Sequence, residues 1–208
     1  MSVNVRRAYY ASSIHEFLAC REDSVLGALT ASSAFAVDLA QRNAWLEEIR
    51  LLREVLPAFH TGEIFLEFVV PRLGKRIDAV LLLNGVVIVI EFKTGATAFA
   101  RADVEQTWDY ALDLKNFHET SHHRTIYPVL VITGARGELI RGEQRSTDGV
   151  VDPSLVCADR LTEVLHQLVG RCAQEHVPAG HWEGGRYRPR PCGNALSRAQ
   201  RTARAAVT

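Results

Sequence analysis

Apolar and polar residues alternate with two different periods along the chain, which separates predicted helices from predicted strands. Between residues 33 and 56, apolar side chains recur every three or four positions, and Pro57 ends the run. This spacing predicts one long amphipathic helix. A second helix with similar periodicity is predicted over Asp103–Phe117. Shorter helices are predicted at Ile14–Cys20, Val25–Leu29 and Asp159–Arg171.

The remaining apolar runs have the length and β-branched content of strands. Two of them meet at Asn84-Gly85, a dipeptide that supplies the two positive-φ residues of a tight hairpin turn. Ile64–Val70 precedes this hairpin, Tyr127–Thr133 follows it as a wholly buried central strand, and Val150–Val156 contains an edge strand. The element order predicts an α/β fold with a mixed sheet flanked by helices.

Length and composition suit one domain with a sizeable core, since the chain has 208 residues of which 47% are hydrophobic. The apolar runs are far shorter than the roughly 20 residues that span a bilayer, so no membrane association is expected. No apolar segment follows Met1–Arg7, which argues against a signal peptide. The four cysteines form no CxxC pair, which argues against a zinc ribbon or a disulfide framework and favours the cytoplasm.

Charge is unevenly distributed, although the net charge of the whole chain is zero. Residues 186–208 contain six arginines and no acid, which leaves 18 basic and 24 acidic residues before them. We therefore predict a domain over residues 1–180 and a basic, flexible tail over residues 181–208. Such a tail is either a solvated terminus or an arm that contacts phosphates.

Three charged residues interrupt the hairpin, where buried strands would otherwise be apolar. Asp78 lies near the start of the first strand, and Glu91 and Lys93 lie at the end of the second. A hairpin brings these two ends together, and residues two apart leave a strand on the same face. Two carboxylates and one ammonium are therefore expected at one end of the hairpin.

This group of charges has two interpretations. In one, the residues form an ion pair that only holds the hairpin together. In the other, Asp78 and Glu91 supply oxygen ligands to Mg²⁺, which typically binds one or two carboxylates together with waters and phosphate. Lys93 would then position or deprotonate the attacking water, or stabilise charge on the phosphorus. The second interpretation is favoured because two acids beside one base leave uncompensated negative charge.

The array of Asp78 followed by Glu91-x-Lys93 after a hydrophobic strand resembles the PD-(D/E)xK nuclease superfamily. The resemblance implies a restriction-endonuclease-like core, in which a mixed sheet is flanked by helices. It also implies that Asp78 and Glu91 ligate Mg²⁺ or Mn²⁺ and that Lys93 serves the water. Ile77 stands where the motif of the superfamily has proline.

A glutamate from the helix before the first core strand often completes such a site. Glu48 on the predicted long helix matches this position, its neighbour Glu47 is the alternative, and Glu67 is a less favoured contributor. The metal ligands implied by the resemblance are therefore Asp78, Glu91 and Glu48.

The segment Gln106-Thr107-Trp108-Asp109-Tyr110 is similar to the QxxxY motif of RecB-like nucleases. Gln106 and Tyr110 would share one helix face and support the catalytic residues. Residues 8–133 more widely resemble a bacterial family in which such a domain precedes a superfamily 1 helicase of Schlafen type. The resemblance implies a metal-dependent nuclease acting on DNA, with a helicase as a possible partner. The alternative is an inactive nuclease fold that binds DNA or docks a helicase.

A competing signal is His118-Glu119-Thr120-Ser121-His122, which matches the HExxH pattern of zinc proteases. That chemistry requires the motif inside a helix, with a third ligand beyond it. The apolar pattern ends at Phe117, so a surface loop is the preferred interpretation. A DNA-contacting loop, and a zinc site completed by Glu138 or Glu143, are the alternatives.

Overall fold

The computed structural model describes residues 6–34, 36–137, 149–171 and 178–190, which form a mixed six-stranded sheet with helices on both faces. The strands are β1 Tyr10–Ser13, β2 Glu63–Val70, β3 Lys75–Leu83, β4 Val86–Lys93, β5 Ile126–Ile132 and β6 Ser154–Cys157. The helices are α1 Ile14–Ala19, α2 Glu22–Ser32, α3 Leu39–Val55, α4 Arg101–Phe117, α5 Leu161–Arg171 and α6 Ala179–Glu183.

The strands lie in the sheet in their sequence order, from β1 to β6. Strands β1 to β4 pair antiparallel, whereas β5 and β6 continue the sheet parallel to β4. Helix α4 makes the crossover between β4 and β5, as a parallel connection requires. This arrangement confirms the predicted α/β class with a mixed sheet flanked by helices, as in restriction-endonuclease-like folds.

Two apolar cores lie on opposite faces of the sheet. One face packs against α1, α2, α3 and α5, through residues such as Phe17, Trp45 and Leu165. The other packs against α4 and α6, through residues that include Tyr110 and Trp182. Because both faces of β4 and β5 are covered, every residue of β5 is buried, as its apolar composition predicts.

Local signals account for most element boundaries. Ser13 caps α1 in a capping box with Glu16, and the Asp38 side chain caps α3 by accepting from the backbone N–H of Gln41. The predicted long helix therefore begins at Leu39 rather than near residue 33. Asn84 and Gly85 both have positive φ, at 49° and 81°, which confirms the tight hairpin turn.

Residues 181–190, which we assigned to a flexible tail, instead pack against the body of the protein. Trp182 is fully buried against Phe65 and Phe68, and Tyr187 forms a β-bridge with His118. Aromatic burial therefore places the boundary beyond residue 180. Residues 191–208, the remainder of the predicted basic tail, lie outside the described residues.

Helix length and hydropathy bear on the expectation of no membrane span. Among the described residues, no helix combines the length and the apolar character that a bilayer crossing requires.

Candidate functional site

The candidate site lies where the pairing of the central strands is interrupted. The ladder between β2 and β3 pairs Leu66 with Ala79 and Phe68 with Ile77, but skips the intervening Glu67 and Asp78. Glu67 has a positive φ of 53°, which is uncommon for a residue with a side chain. The inward-facing alternation shifts by one residue here, because Leu66 and Phe68 contribute to opposite cores. The sheet is therefore locally opened beside two carboxylates.

Asp78 and Glu91 are brought together at this opening, as the hairpin predicts. The pairing of Ala79 with Ile90 is the last between β3 and β4, so Asp78 and Glu91 stand at the next position, where these two strands no longer pair. Asp78 Oδ2 accepts a 2.7 Å hydrogen bond from the backbone N–H of Phe92 in place of a ladder partner. Burial, together with the charge of Glu91, raises the pKa of Asp78 well above its ordinary value.

Glu91 is 4% exposed and is held from two sides. Its Oε1 accepts hydrogen bonds from Lys93 Nζ at 3.1 Å and from Gln106 Nε2 at 2.8 Å. Its Oε2 is buried and has no hydrogen-bond partner among the described residues. Burial raises the pKa of Glu91 despite the opposing effect of Lys93. Because buried polar atoms are normally hydrogen-bonded, this oxygen is an exception that calls for an explanation.

Helix α4 supplies the groups that orient Glu91. Gln106 Nε2 also donates to the Tyr110 hydroxyl at 2.8 Å, so the i, i+4 pair acts as one unit. Lys93 Nζ lies 3.3 Å from Asp103 Oδ1, in addition to its contact with Glu91. Burial alone would lower the pKa of Lys93, but the two carboxylates outweigh it and raise that pKa. Lys93 is therefore a fixed, positively charged ammonium.

Glu48 belongs to α3, which packs on the face of the sheet opposite to α4. It is 8% exposed, and burial together with Glu67 and Glu91 raises its pKa to about 8. Glu47 is exposed and instead lines a groove of about 450 Å³ beside Arg50. The preference for Glu48 over Glu47 follows from helix geometry, since adjacent residues face about 100° apart.

Two residues contact the carboxylate cluster more closely than the sequence predicts, Glu67 and Asp103. Glu67 is 4% exposed, and it accepts hydrogen bonds from Trp45 Nε1 at 2.7 Å and from Arg76 Nε. Asp103, at the start of α4, contacts Lys93 but was treated only as the beginning of a helix. The signal for Glu67 was its interruption of an otherwise apolar strand.

The charges of the cluster suit a hard cation. The pKa shifts show that Glu48, Glu67, Asp78 and Glu91 interact electrostatically, whereas Lys93 and Arg76 are the cations that bind members of the group. Oxygen ligands and excess negative charge are the properties that Mg²⁺ or Mn²⁺ requires. Within the described ranges, no group of three or more His, Cys, Asp or Glu side chains is placed to hold a metal ion. The cluster therefore has the charge and the ligand type that suit a cation, whereas its side chains do not converge on one point as three ligands would.

The HExxH segment does not form a helical metal site. His118 follows the end of α4, and Glu119–Ser121 form a single 3₁₀ turn. His118 and His122 are buried rather than exposed, which corrects the surface-loop prediction. His118 Nδ1 hydrogen-bonds with Ser121 Oγ at 2.8 Å. Glu138 and Glu143, the suggested third ligands, lie outside the described residues.

The buried His118 predicts a loss of stability in acid. Desolvation lowers its pKa to about 3, so the unfolded state binds the proton more tightly than the folded state. The stabilisation is complete above the unfolded pKa of about 6.5 and is lost progressively as pH falls toward 3. We expect a loss of about 2 kcal/mol in the free energy of unfolding between pH 7 and pH 5. Urea denaturation at the two pH values measures it.

A matched comparison isolates this effect. The His118→Asn variant should show a pH-dependent loss smaller by about the same 2 kcal/mol, whereas substitution of the exposed His15 by glutamine should change little. If His118→Asn does not fold, NMR of the wild-type ring supplies the test. A His118 ring that becomes protonated above pH 5 would contradict the prediction.

Comparisons with known proteins provide little additional information. No family model matches the sequence, and no curated protein matches it significantly. Among solved structures, the chain is similar to protein VC1899 from Vibrio cholerae, with 15% identity and a TM-score of 0.31. The match covers 72% of this chain and 42% of that protein, so this chain spans less than half of its length. A similarity at this level supports no conclusion about activity.

Proposed function

We propose that this protein is a Mg²⁺-dependent nuclease of PD-(D/E)xK type that hydrolyses phosphodiester bonds in DNA. The observation that carries the proposal is that Asp78 lies close to Glu91, beside the ammonium of Lys93, and that the buried Oε2 of Glu91 has no hydrogen-bond partner among the described residues. This arrangement provides ligands for a hard cation together with a fixed positive charge. The unpaired thiols of Cys20 and Cys157 accord with a reducing compartment, and we propose a cytoplasmic location.

Each residue has a defined part in this proposal. Asp78, Glu91 and Glu48 would hold Mg²⁺ or Mn²⁺. The bound ion would polarise a phosphoryl oxygen and lower the pKa of a bound water. Glu91 is prevented from rotating away because Gln106 fixes its Oε1, and Tyr110 fixes Gln106 in turn.

Lys93 acts as a charge stabiliser in this proposal rather than as a neutral base. The carboxylates of Glu91 and Asp103 favour its protonated form, as described above. An ammonium in this position can hydrogen-bond the attacking water and offset the negative charge that grows on the phosphoryl oxygens. It does so without reorganisation, because both carboxylates already fix it.

A second candidate is a nuclease fold that binds DNA or docks a helicase without turnover. The observation that favours it is that, in the described part of the chain, no group of three or more His, Cys, Asp or Glu side chains is placed to hold a metal ion. In that case Lys93 would serve as a permanent counter-ion to Glu91. Metal binding and DNA cleavage distinguish the two candidates.

Metal titration tests the proposal directly. We expect calorimetry to detect Mn²⁺ or Mg²⁺ binding that weakens at least about tenfold in Asp78→Asn and in Glu91→Gln, because each change removes a charged ligand. Cleavage of labelled DNA should require the ion and be lost on adding a chelator. The Glu163→Gln variant is the control, since Glu163 is an exposed acid paired with Arg160 on α5.

The outcomes separate the candidates. Metal binding together with metal-dependent cleavage supports the nuclease. Absence of both, in protein that melts cooperatively, would overturn it, and DNA binding without cleavage would favour the inactive module.

A further inference from the structure

Glu67 occupies a strained position for which the proposed reaction provides no role. A left-handed backbone at a residue with a side chain costs on the order of 1 kcal/mol and persists where surrounding contacts enforce it. Such outliers cluster at functional sites. Here the conformation breaks the regular alternation of β2, at the position where the ladder to β3 skips Glu67 and Asp78.

Two donors hold the Glu67 carboxylate in place. Trp45 Nε1, from α3, donates to Oε1 at 2.7 Å, and the indole is itself 2% exposed. Arg76 Nε, from β3, donates to Oε2. Each carboxylate oxygen is therefore committed to a different donor, which leaves Glu67 poorly placed to serve as a metal ligand.

Arg76 is the exposed member of this arrangement. Its side chain is 39% exposed, whereas that of Glu67 is 5% exposed. The guanidinium also lies over the ring of Tyr9, with 5.1 Å between its central carbon and the ring centroid. Glu67 accepts from Nε of the guanidinium. The two terminal nitrogens form a different edge of the guanidinium, which faces away from Nε. A cation that is held by a buried carboxylate and is itself 39% exposed suits a preorganised anion site.

We propose that Arg76 binds a backbone phosphate of DNA at the mouth of the carboxylate cluster, and that Glu67 and Tyr9 position it. The inference rests on the proposed function, because it assumes that the ligand of this site is DNA. Arg76 precedes Asp78 by two residues on β3, and its partner Glu67 stands at the skipped ladder position across from Asp78, so a phosphate bound there would lie near the proposed metal ligands. A planar guanidinium can engage phosphate through two parallel hydrogen bonds. Its charge would also offset the repulsion between the carboxylates and the DNA.

DNA binding measured without turnover tests the role of Arg76. Full-length protein carrying Asp78→Asn, in the presence of a chelator, is titrated against fluorescein-labelled DNA, single-stranded in one series and duplex in another. In this background we expect Arg76→Gln to weaken binding about tenfold and to reduce the slope of log affinity against log salt by about one. Arg76→Lys should retain the slope but lose part of the affinity. Arg160→Gln should change neither quantity, since Arg160 is a half-exposed arginine paired with Glu163 near α5.

The role of Glu67 is tested by comparing Glu67→Gln in two backgrounds, one that contains Arg76 and one that carries Arg76→Gln. If Glu67 positions Arg76, Glu67→Gln weakens DNA binding when Arg76 is present and does not weaken it in Arg76→Gln protein. If Glu67 only repels DNA, the same substitution tightens binding in both backgrounds, and the positioning role is overturned. Thermal melting of each variant confirms that it is folded.

Failure of this inference and failure of the proposed function give different results. Unchanged affinity and salt slope in Arg76→Gln overturn the phosphate site, even when wild-type protein cleaves DNA. Loss of affinity and slope in Arg76→Gln supports the phosphate site, even when wild-type protein shows no metal-dependent cleavage. If the Asp78→Asn protein does not bind DNA at all, the phosphate site is overturned.

Discussion

Replacement of Lys93 by alanine is expected to lower metal-dependent DNA cleavage by about a thousandfold, because a fixed positive charge at a developing oxyanion contributes about this much. The substitution removes the ammonium that lies 3.1 Å from Glu91 Oε1 and 3.3 Å from Asp103 Oδ1. The Lys93 side chain is 25% exposed at the end of β4, so its removal should leave the fold intact. Single-turnover cleavage of labelled DNA measures the effect, and thermal melting checks the fold.

Metal affinity distinguishes a catalytic lysine from a structural one. If Lys93 stabilises charge in the reaction, Lys93→Ala should bind Mn²⁺ as tightly as wild type or more tightly, because a competing cation has left Glu91. If Lys93 only orients Glu91, metal affinity should fall together with cleavage. Lys75→Ala is the control, since Lys75 is an exposed lysine at the start of β3. Undiminished cleavage by Lys93→Ala would contradict the proposed function.

The hairpin and its charges were predictable because they depend on local rules. Strand period and the Asn84-Gly85 turn together fix the register, and the register alone places Asp78 opposite Glu91. The i, i+4 spacing similarly placed Gln106 and Tyr110 on one face of α4, where they form a hydrogen-bonded pair.

The role of Glu67 was not predictable to the same degree. Its position requires a left-handed backbone at a non-glycine residue, for which the local sequence has no turn signal. The position of Trp45 beside the apolar face of α3 predicts a packing residue, and Trp45 is buried, but its hydrogen bond to Glu67 joins two separate elements. Contacts of this kind depend on the position and angle at which α3 packs on the sheet. Hydrophobic periodicity specifies neither of these.

Periodicity also failed where polar side chains are buried by distant segments. Their charge and their place in the helical pattern predict a solvated surface for Asp113 and Lys115 on α4, yet they are 6% and 3% exposed. Lys115 Nζ donates to the backbone carbonyl of Arg124 at 2.5 Å, a partner that follows the helix. The sequence after α5 has no regular pattern that predicts α6 or its burial. Packing between separate segments therefore determines the burial of these polar side chains and of α6, which local sequence patterns do not specify.

Trp182 provides the strongest stability test of that packing. We expect Trp182→Ala to lower the free energy of unfolding by about 3–5 kcal/mol, as for other fully buried aromatic residues. The indole contacts Phe65, Phe68 and His118, and its Nε1 donates to Ser121 Oγ at 3.0 Å. Urea denaturation monitored by circular dichroism measures the loss.

Two further variants assign that loss to the docking of residues 178–190. Trp182→Phe retains an aromatic ring but removes the donor to Ser121, so it should cost only about 1–2 kcal/mol. Trp108→Ala removes the same side chain from a partly exposed position on α4 and should cost clearly less than Trp182→Ala. If Trp182→Ala changed stability by less than about 0.5 kcal/mol, as a surface substitution does, this segment would belong to the tail rather than to the core. The large loss is expected because Trp182 belongs to the apolar core that packs against α4, the helix that carries Gln106 and Tyr110.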